Sequence, residues 1–254
     1  MNLNVTGKRI VVTGASSGLG AHFARVLHAA GADVGLLARR KDKLQDLAQV
    51  LADINGGKVF VAECDVLNAT AVEKALADVH RNLGGIDVLV NNAGVTRQAP
   101  ALRQTTDDFD LVLNTNLRGA WLVAVATANL MVADGKPGSI VNIASILGER
   151  VAKYVAPYAI SKAAVSQMTK ALALEWARHG IRVNALAPGY LSTDLNADFF
   201  ASDEGKELIK RVPQRRLGQL SDLDGPLMLL ASDVSGFMTG AVIPIDGGHL
   251  VNSL

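Results

Sequence analysis

The residues Arg9-Ile10-Val11-Val12-Thr13 form a short β-branched run that passes at once into Gly14-Ala15-Ser16-Ser17-Gly18-Leu19-Gly20. An apolar pattern of helical period follows from Phe23 to Ala30 and is closed by Gly31. Strand, glycine turn and helix make the first half of a βαβ unit, which commits the chain to a parallel sheet with crossover helices. The alternation then continues to the C-terminus. Strands are predicted at 33–37, 58–63, 86–90, 139–144, 181–186 and 241–245, and helices at 43–54, 69–83, 157–179 and 223–231. A further helix begins at the hydroxyls and acids of Thr105-Thr106-Asp107-Asp108 and runs on through Trp121. No linker or composition break interrupts this, so the expectation is one α/β domain over 1–254. It is a doubly wound, Rossmann-type fold with about seven parallel strands and helices on both faces.

The whole-chain quantities exclude several classes of function. Lys+Arg 25 against Asp+Glu 24 leaves a formal net charge of +1, so no field recruits nucleic acid or an anionic membrane. Cys64 is the lone cysteine, which rules out an internal disulfide framework and suits a reducing compartment. Its place at the end of a strand reads as an inert buried thiol. Neither His-Glu-x-x-His nor Cys-x-x-Cys occurs, and the histidines are scattered. The N-terminus has no apolar signal region, and the apolar run 119–133 is shorter than the ~20 residues a bilayer span needs. A soluble, cytoplasmic protein is expected.

The glycine turn carries chemistry as well as geometry. Glycines let the backbone approach a pyrophosphate, and the unpaired N–H groups at the helix start hold it. In NAD-binding sheets an acid about 20 positions beyond the turn accepts from the ribose 2′-hydroxyl. Here that place falls near Ala38, which is uncharged, and Arg39 and Arg40 come next. A guanidinium pairs with a 2′-phosphate, so NADP(H) is favoured over NAD(H), with Arg39 ahead of Arg40. Asp65 and Val66 end the third strand, where a carboxylate accepts from an adenine amine and an apolar side chain packs on the ring; a helix cap is the other role open to Asp65. Asn91-Asn92-Ala93-Gly94 closes the fourth strand with amides and small residues. Asn114 and Asn116 interrupt an apolar helix, where a buried amide demands partners.

Tyr158 and Lys162 stand four apart on a predicted helix and so share a face. A phenol titrates near ~10, and bringing it to ~7 takes about 4 kcal/mol of preference for the phenolate, a plausible task for one close ammonium and a second positive charge. Ser145, at the end of the fifth strand, can donate to a substrate oxygen held beside Tyr158. Pro188-Gly189-Tyr190-Leu191-Ser192-Thr193 leaves the sixth strand as a rigid turn. The polar stretch beyond it, about 192–216, contains Phe199-Phe200 and reads as a lid at the ligand edge. Ile146, Leu147, Val95, Phe199 and Phe200 are candidates for an apolar substrate wall. Lys206, Lys210, Arg211 and Arg215 are either solvated charges, the favoured reading, or a surface for an acidic carrier. Glu149 and Arg150 are placed to meet a polar substrate.

Thr13 to Gly20, Asn91 to Gly94, Asn116, Ser145, Tyr158-x-x-x-Lys162 and Pro188-Gly189 together resemble the short-chain dehydrogenase/reductase family in its compact form. The resemblance covers about 7–248, and the G-x-x-x-G-x-G spacing is that family's own variant. It implies a tetrad of Asn116, Ser145, Tyr158 and Lys162. Tyr158 is then the general acid/base, Ser145 the partner of the carbonyl oxygen, and Lys162 the group that lowers the phenol and holds the nicotinamide ribose. Asn116 is implied to anchor a proton-relaying water. The resemblance also implies that Leu191 and Thr193 lie near the nicotinamide carboxamide and that the chain forms a homotetramer (or homodimer) through the Trp121 and Tyr158 helices. The expected reaction is hydride transfer between nicotinamide and a ketone or secondary alcohol, a 3-oxoacyl thioester or another small to medium carbonyl compound. The alternatives are an NAD(H)-dependent alcohol, sugar or hydroxysteroid dehydrogenase, or a non-catalytic NADP(H)-binding redox sensor or regulatory subunit.

Overall fold

A computed structural model describes residues 3–54, 57–192 and 197–252. Seven parallel strands form one sheet in the order β3-β2-β1-β4-β5-β6-β7. They are β1 (Arg9–Thr13), β2 (Asp33–Ala38), β3 (Val59–Glu63), β4 (Val88–Asn91), β5 (Gly138–Ile143), β6 (Ile181–Pro188) and β7 (Val242–Ile245). The helices are α1 (Gly18–Ala29), α2 (Lys41–Ala52), α3 (Ala69–Leu83), α4 (Thr106–Leu113), α5 (Ala120–Ala133), α6 (Ala156–Trp176), α7 (Ala197–Ala201), α8 (Asp203–Lys210) and α9 (Asp224–Ala231).

The sheet is covered on both faces because its strands alternate their side chains between two cores. Val11, Leu89 and Ile140 join Val72 and Leu76 of α3, Val123 of α5 and Val165 of α6 in one layer. Ile10, Val12, Val88, Val90 and Val141 join Phe23 of α1, Leu44 of α2 and Leu227 of α9 in the other. Each such buried side chain contributes roughly 1.5–3 kcal/mol. Cys64 is buried in the first layer, and burial pushes its thiol up to about 11, which makes it as inert as the sequence implied. Strand order reverses at β1, which pairs with β2 on one side and β4 on the other. In open parallel sheets ligands bind at that switch point, beyond the carboxyl ends of the strands.

Two elements differ from the sequence reading. The helix expected to run continuously from Thr105 through Trp121 is α4 and α5 joined by one turn of π-helix, Asn114–Gly119. Thr105 does cap α4, its hydroxyl accepting from the Asp108 N–H at 3.1 Å. The polar segment read as a lid, for which no helix was predicted, contains two short helices, and Ser202 caps α8 by accepting from Gly205 N at 3.2 Å. Among the described residues no helix is long and apolar enough to cross a membrane, and no group of three or more His, Cys, Asp or Glu side chains is placed to hold a metal.

Candidate active site

Gly14 and Gly18 have φ of +66° and +54°, a region that an L side chain rarely adopts. A Cβ on Gly20 would lie 2.3 Å from the Gly14 carbonyl oxygen, so β1 and the start of α1 are as close as a backbone permits. Asn92 and Ala93 hold this turn. Their N–H groups donate to the Thr13 hydroxyl at 2.9 and 3.0 Å, and the Asn92 amide donates to the Thr13 carbonyl at 2.9 Å. The side chain of the N-cap residue Ser17 does not cap α1, which leaves its first N–H groups for an anion, and a Cβ on Gly18 would stand in open space.

Arg40 is drawn onto this cradle. Its guanidinium donates to the hydroxyls of Ser16 and Ser17 at 2.9 and 2.7 Å. Arg39, its neighbour, is exposed beside it. Asp65 accepts from the Leu67 N–H at 3.0 Å in the loop before α3, but the cap of that helix is Asn68, which accepts from Ala71 N at 3.1 Å. Val66 is buried against Gly119, where an added Cβ would come within 2.7 Å of it. Gly94 faces the Asn116 amide. Pro188 ends β6, the Gly189 N–H donates to Ile245 at 2.9 Å, and buried Leu191 bridges to Gly218. Thr193 lies outside the described residues.

The four expected catalytic residues come from three elements around one point. Lys162 is 5 % exposed, and its ammonium donates to the Ile143 carbonyl at 2.7 Å. The same ammonium stands 5.5 Å from the centre of the Tyr158 ring. Burial pushes Lys162 down to about 8. Burial also pushes the Tyr158 phenol above its ordinary value, opposed by a hydrogen bond with Ser145. The sequence-based expectation of a lowered phenol is therefore corrected for the polypeptide alone, because desolvation outweighs the help its neighbours give the phenolate. Ser145 is buried and closes the turn Ile146–Gly148 by accepting from Leu147 N at 3.1 Å.

Asn116 sits in the π turn, a feature common at functional sites. Its amide oxygen accepts from Val95 N at 2.7 Å, and its two amide hydrogens go to the Val95 carbonyl and the Ser161 hydroxyl, both at 2.9 Å. The side chain thus ties the loop after β4 to α6, one residue before Lys162. Three partners escaped the sequence reading. Ser161 is one. The others are Asn142 and Thr169, which extend Asn91 into a buried chain: Asn91 donates to Asn142 at 3.1 Å, and Asn142 to Thr169 at 2.9 Å. The available signal was an amide in each of two otherwise apolar strands, since buried amides require partners.

Among the residues expected to line a substrate wall, Ile146 is buried and Leu147 partly so. Phe200 is buried, its ring 5.0 Å from Phe199 and 5.9 Å from Tyr190, while Phe199 remains half-exposed. Lys206 pairs with Asp203 at 3.5 Å and Lys210 with Glu207 at 2.5 Å, and Arg215 donates to the Lys210 carbonyl. The two lysines are thus satisfied on their own helix, as solvated charges are.

The family model described as enoyl-(acyl carrier protein) reductase matches residues 14–249. Gluconate 5-dehydrogenase of Gluconobacter oxydans is 39 % identical over 250 residues, covering 98 % of this chain and 97 % of that protein. The crystal structure of a gluconate 5-dehydrogenase from Burkholderia cenocepacia J2315, in complex with NADP and tartrate, superposes with a TM-score of 0.94 at 37 % identity, covering 99 % of this chain and 98 % of that one. A short-chain type dehydrogenase/reductase from Mycobacterium marinum gives 0.91 at 38 % identity, covering 97 % of each chain. With the glycine turn, the buried Lys162 beside Tyr158 and the capping Ser145 in place, the chain belongs to the short-chain dehydrogenase/reductase family and is an oxidoreductase of the CH–OH/C=O class.

Proposed function

We propose that the chain, acting as a single catalytic unit, is an NADP(H)-dependent ketone reductase or secondary-alcohol dehydrogenase. Among the substrates left open by the sequence, a sugar-derived, polyhydroxylated one is favoured over a 3-oxoacyl thioester. The observation that carries the reading is the buried Lys162 ammonium 5.5 Å from the Tyr158 ring. A protein that only sensed NADP(H) would have no use for a desolvated acid/base pair.

The residues fit a dinucleotide. The Gly18 cradle has room that a Cβ would fill, the start of α1 is uncapped, and Arg40 and Arg39 flank the serines where a 2′-phosphate would lie. When bound, the nicotinamide supplies or takes up the hydride. Tyr158 gives its proton to the carbonyl oxygen in reduction and removes it in oxidation. Ser145 donates to the same oxygen as charge develops on it. Lys162 has N–H groups beyond the one on Ile143, and these serve the nicotinamide ribose and favour the phenolate. The positive charge of the oxidised ring adds to that effect, against burial. Asn116 has both amide hydrogens committed, so a proton relay at this residue uses its main-chain carbonyl. Asp65, Val66, Asn92, Ala93, Gly94, Pro188, Gly189, Leu191 and Thr193 complete the cofactor wall. Trp121 and Leu174 are exposed on α5 and α6, which supports a homotetramer built across those helices; the location is cytoplasmic.

Following NADPH absorbance with 5-keto-D-gluconate, L-sorbose and an oxoacyl thioester tests the reaction. Turnover with a polyhydroxylated ketone is expected, and no oxidation with any ketone would overturn the reading. In the same assay NADPH is expected to exceed NADH in kcat/KM by at least about tenfold, one charge-assisted contact being about 1.5–3 kcal/mol. Arg40→Ser should erase more of that margin than Arg39→Ser, because Arg40 is the one drawn onto the cradle; a wild-type preference for NADH would end the assignment. The lid makes a separate prediction. Hydrogen exchange across 203–216 should slow when NADPH binds, and unchanged protection there would remove the closing role.

A further inference from the structure

Arg150 stands five residues beyond Ser145, on the turn whose backbone folds back from Arg150 N to Ile146 O at 2.8 Å. Its partly buried guanidinium donates to the carbonyl of His249, in the C-terminal turn His249–Val251. Among the described residues no carboxylate forms an ion pair with Arg150 within 4 Å. The acid in the same turn, Asp246, is committed elsewhere: its two oxygens accept from Gly248 N at 2.9 Å and Leu250 N at 2.7 Å.

The His249 side chain is equally unfinished. The residue is 8 % exposed, and its Nδ1 has no hydrogen-bond partner among the described residues. Its ring packs 5.4 Å from that of Tyr190, on the turn that leaves β6, and Tyr190 in turn meets Phe200 of the lid. Burial lowers the His249 imidazole below its ordinary value, and the charges of Arg150 and Arg211 act in the same sense against Asp246. A buried nitrogen without a partner and a guanidinium without a counter-ion are both costly to maintain. Here Arg150 reaches the residue that carries that nitrogen, and His249 lies against the aromatic contact of Tyr190 with Phe200.

We infer that Arg150 and His249 are the anchor for a carboxylate at the far end of a polyhydroxylated keto-acid, whose ketone lies at Ser145 and Tyr158; this rests on the oxidoreductase reading above. The guanidinium fork pairs with a carboxylate by two parallel hydrogen bonds, and the imidazole supplies a third from Nδ1. Tyr190 packs behind the imidazole and fixes its plane. The same chain of carbons ending in CH2OH leaves both groups short of partners, so the site discriminates acid from neutral polyol by the cost of that deficit.

Calorimetric titration of the full-length protein saturated with NADPH, using D-gluconate and its neutral counterpart D-glucitol as probes, tests this without any turnover. D-gluconate is expected to bind at least about tenfold more tightly than D-glucitol, the size of one charge-assisted pair. Arg150→Gln should collapse that ratio toward one, and His249→Phe, which keeps the packing on Tyr190, should reduce it severalfold. A wild-type ratio near one, or a ratio that survives in a folded Arg150→Gln protein, would overturn the inference. If Arg150→Gln does not fold, Arg150→Lys decides, because a point charge cannot reproduce the fork and an unchanged ratio there would also sink it. Binding needs no proton transfer, so normal turnover in Tyr158→Phe would remove the catalytic reading and leave this measurement intact, while a ratio of one would do the converse.

Discussion

Tyr158→Phe is expected to bind NADPH within about twofold of the native protein while its kcat falls by about 10²–10⁴, the span that a positioned general acid contributes. The substitution keeps the ring that packs 5.5 Å from the Lys162 ammonium and removes only the hydroxyl. What disappears is the proton donor and its hydrogen bond with Ser145. The loss corresponds to roughly 3–5 kcal/mol of transition-state stabilisation at ~1.4 kcal/mol per tenfold. Cofactor binding followed by fluorescence titration and turnover followed by absorbance separate the two effects. Near-normal turnover would show that another group carries the proton. A parallel loss of NADPH binding would place Tyr158 in the cofactor wall alone.

The second large effect is in the glycine turn, where two substitutions that look alike should behave differently. In Gly20→Ala the new Cβ meets the Gly14 carbonyl oxygen at 2.3 Å and the Asn92 amide at 2.6 Å. The first of these atoms is backbone and cannot rotate away. Overpacking of this kind costs typically 1–3 kcal/mol, or a melting shift of several degrees at about 2–4 °C per kcal/mol for a chain of this size. In Gly18→Ala the Cβ meets nothing, and the cost is the left-handed φ of +54° alone, about 1 kcal/mol. That same methyl occupies the cradle at the start of α1, so NADPH binding should weaken by at least about tenfold while the fold is barely disturbed. Thermal melts without cofactor and NADPH titrations would distinguish the two. Equal melting losses, or unimpaired NADPH binding by Gly18→Ala, would show that the phosphates are held elsewhere.

The parts legible in the sequence were those encoded locally. A β-branched run, a glycine turn and a helical period are properties of short windows, and the sheet followed from their alternation. Asn116, Ser145, Tyr158 and Lys162 could be singled out because they sit in separate motifs of recognisable spacing, with the family resemblance supplying the roles proposed for them. Not legible was which partner each polar group takes. Asn116 was marked as an amide needing partners, yet Ser161 and the Val95 backbone come to it only after the π turn brings α6 and the β4 loop together. The partners of Arg39 and Arg40 were likewise beyond counting along the chain. Which guanidinium reaches Ser16 and Ser17 depends on how the end of β2 turns into α2, a matter of two backbone angles.

By itself, then, the amino-acid order determined the alternation of strands and helices and the glycine turn, since each depends on neighbours within a few residues. Tertiary structure alone decided the protonation balance of the site and the company of Arg150. Desolvation of Tyr158 and Lys162 is the sum of everything packed around them, and the carbonyl that receives Arg150 lies 99 residues along the chain. Burial and long-range partners are properties of the folded whole, and no local window of sequence contains them.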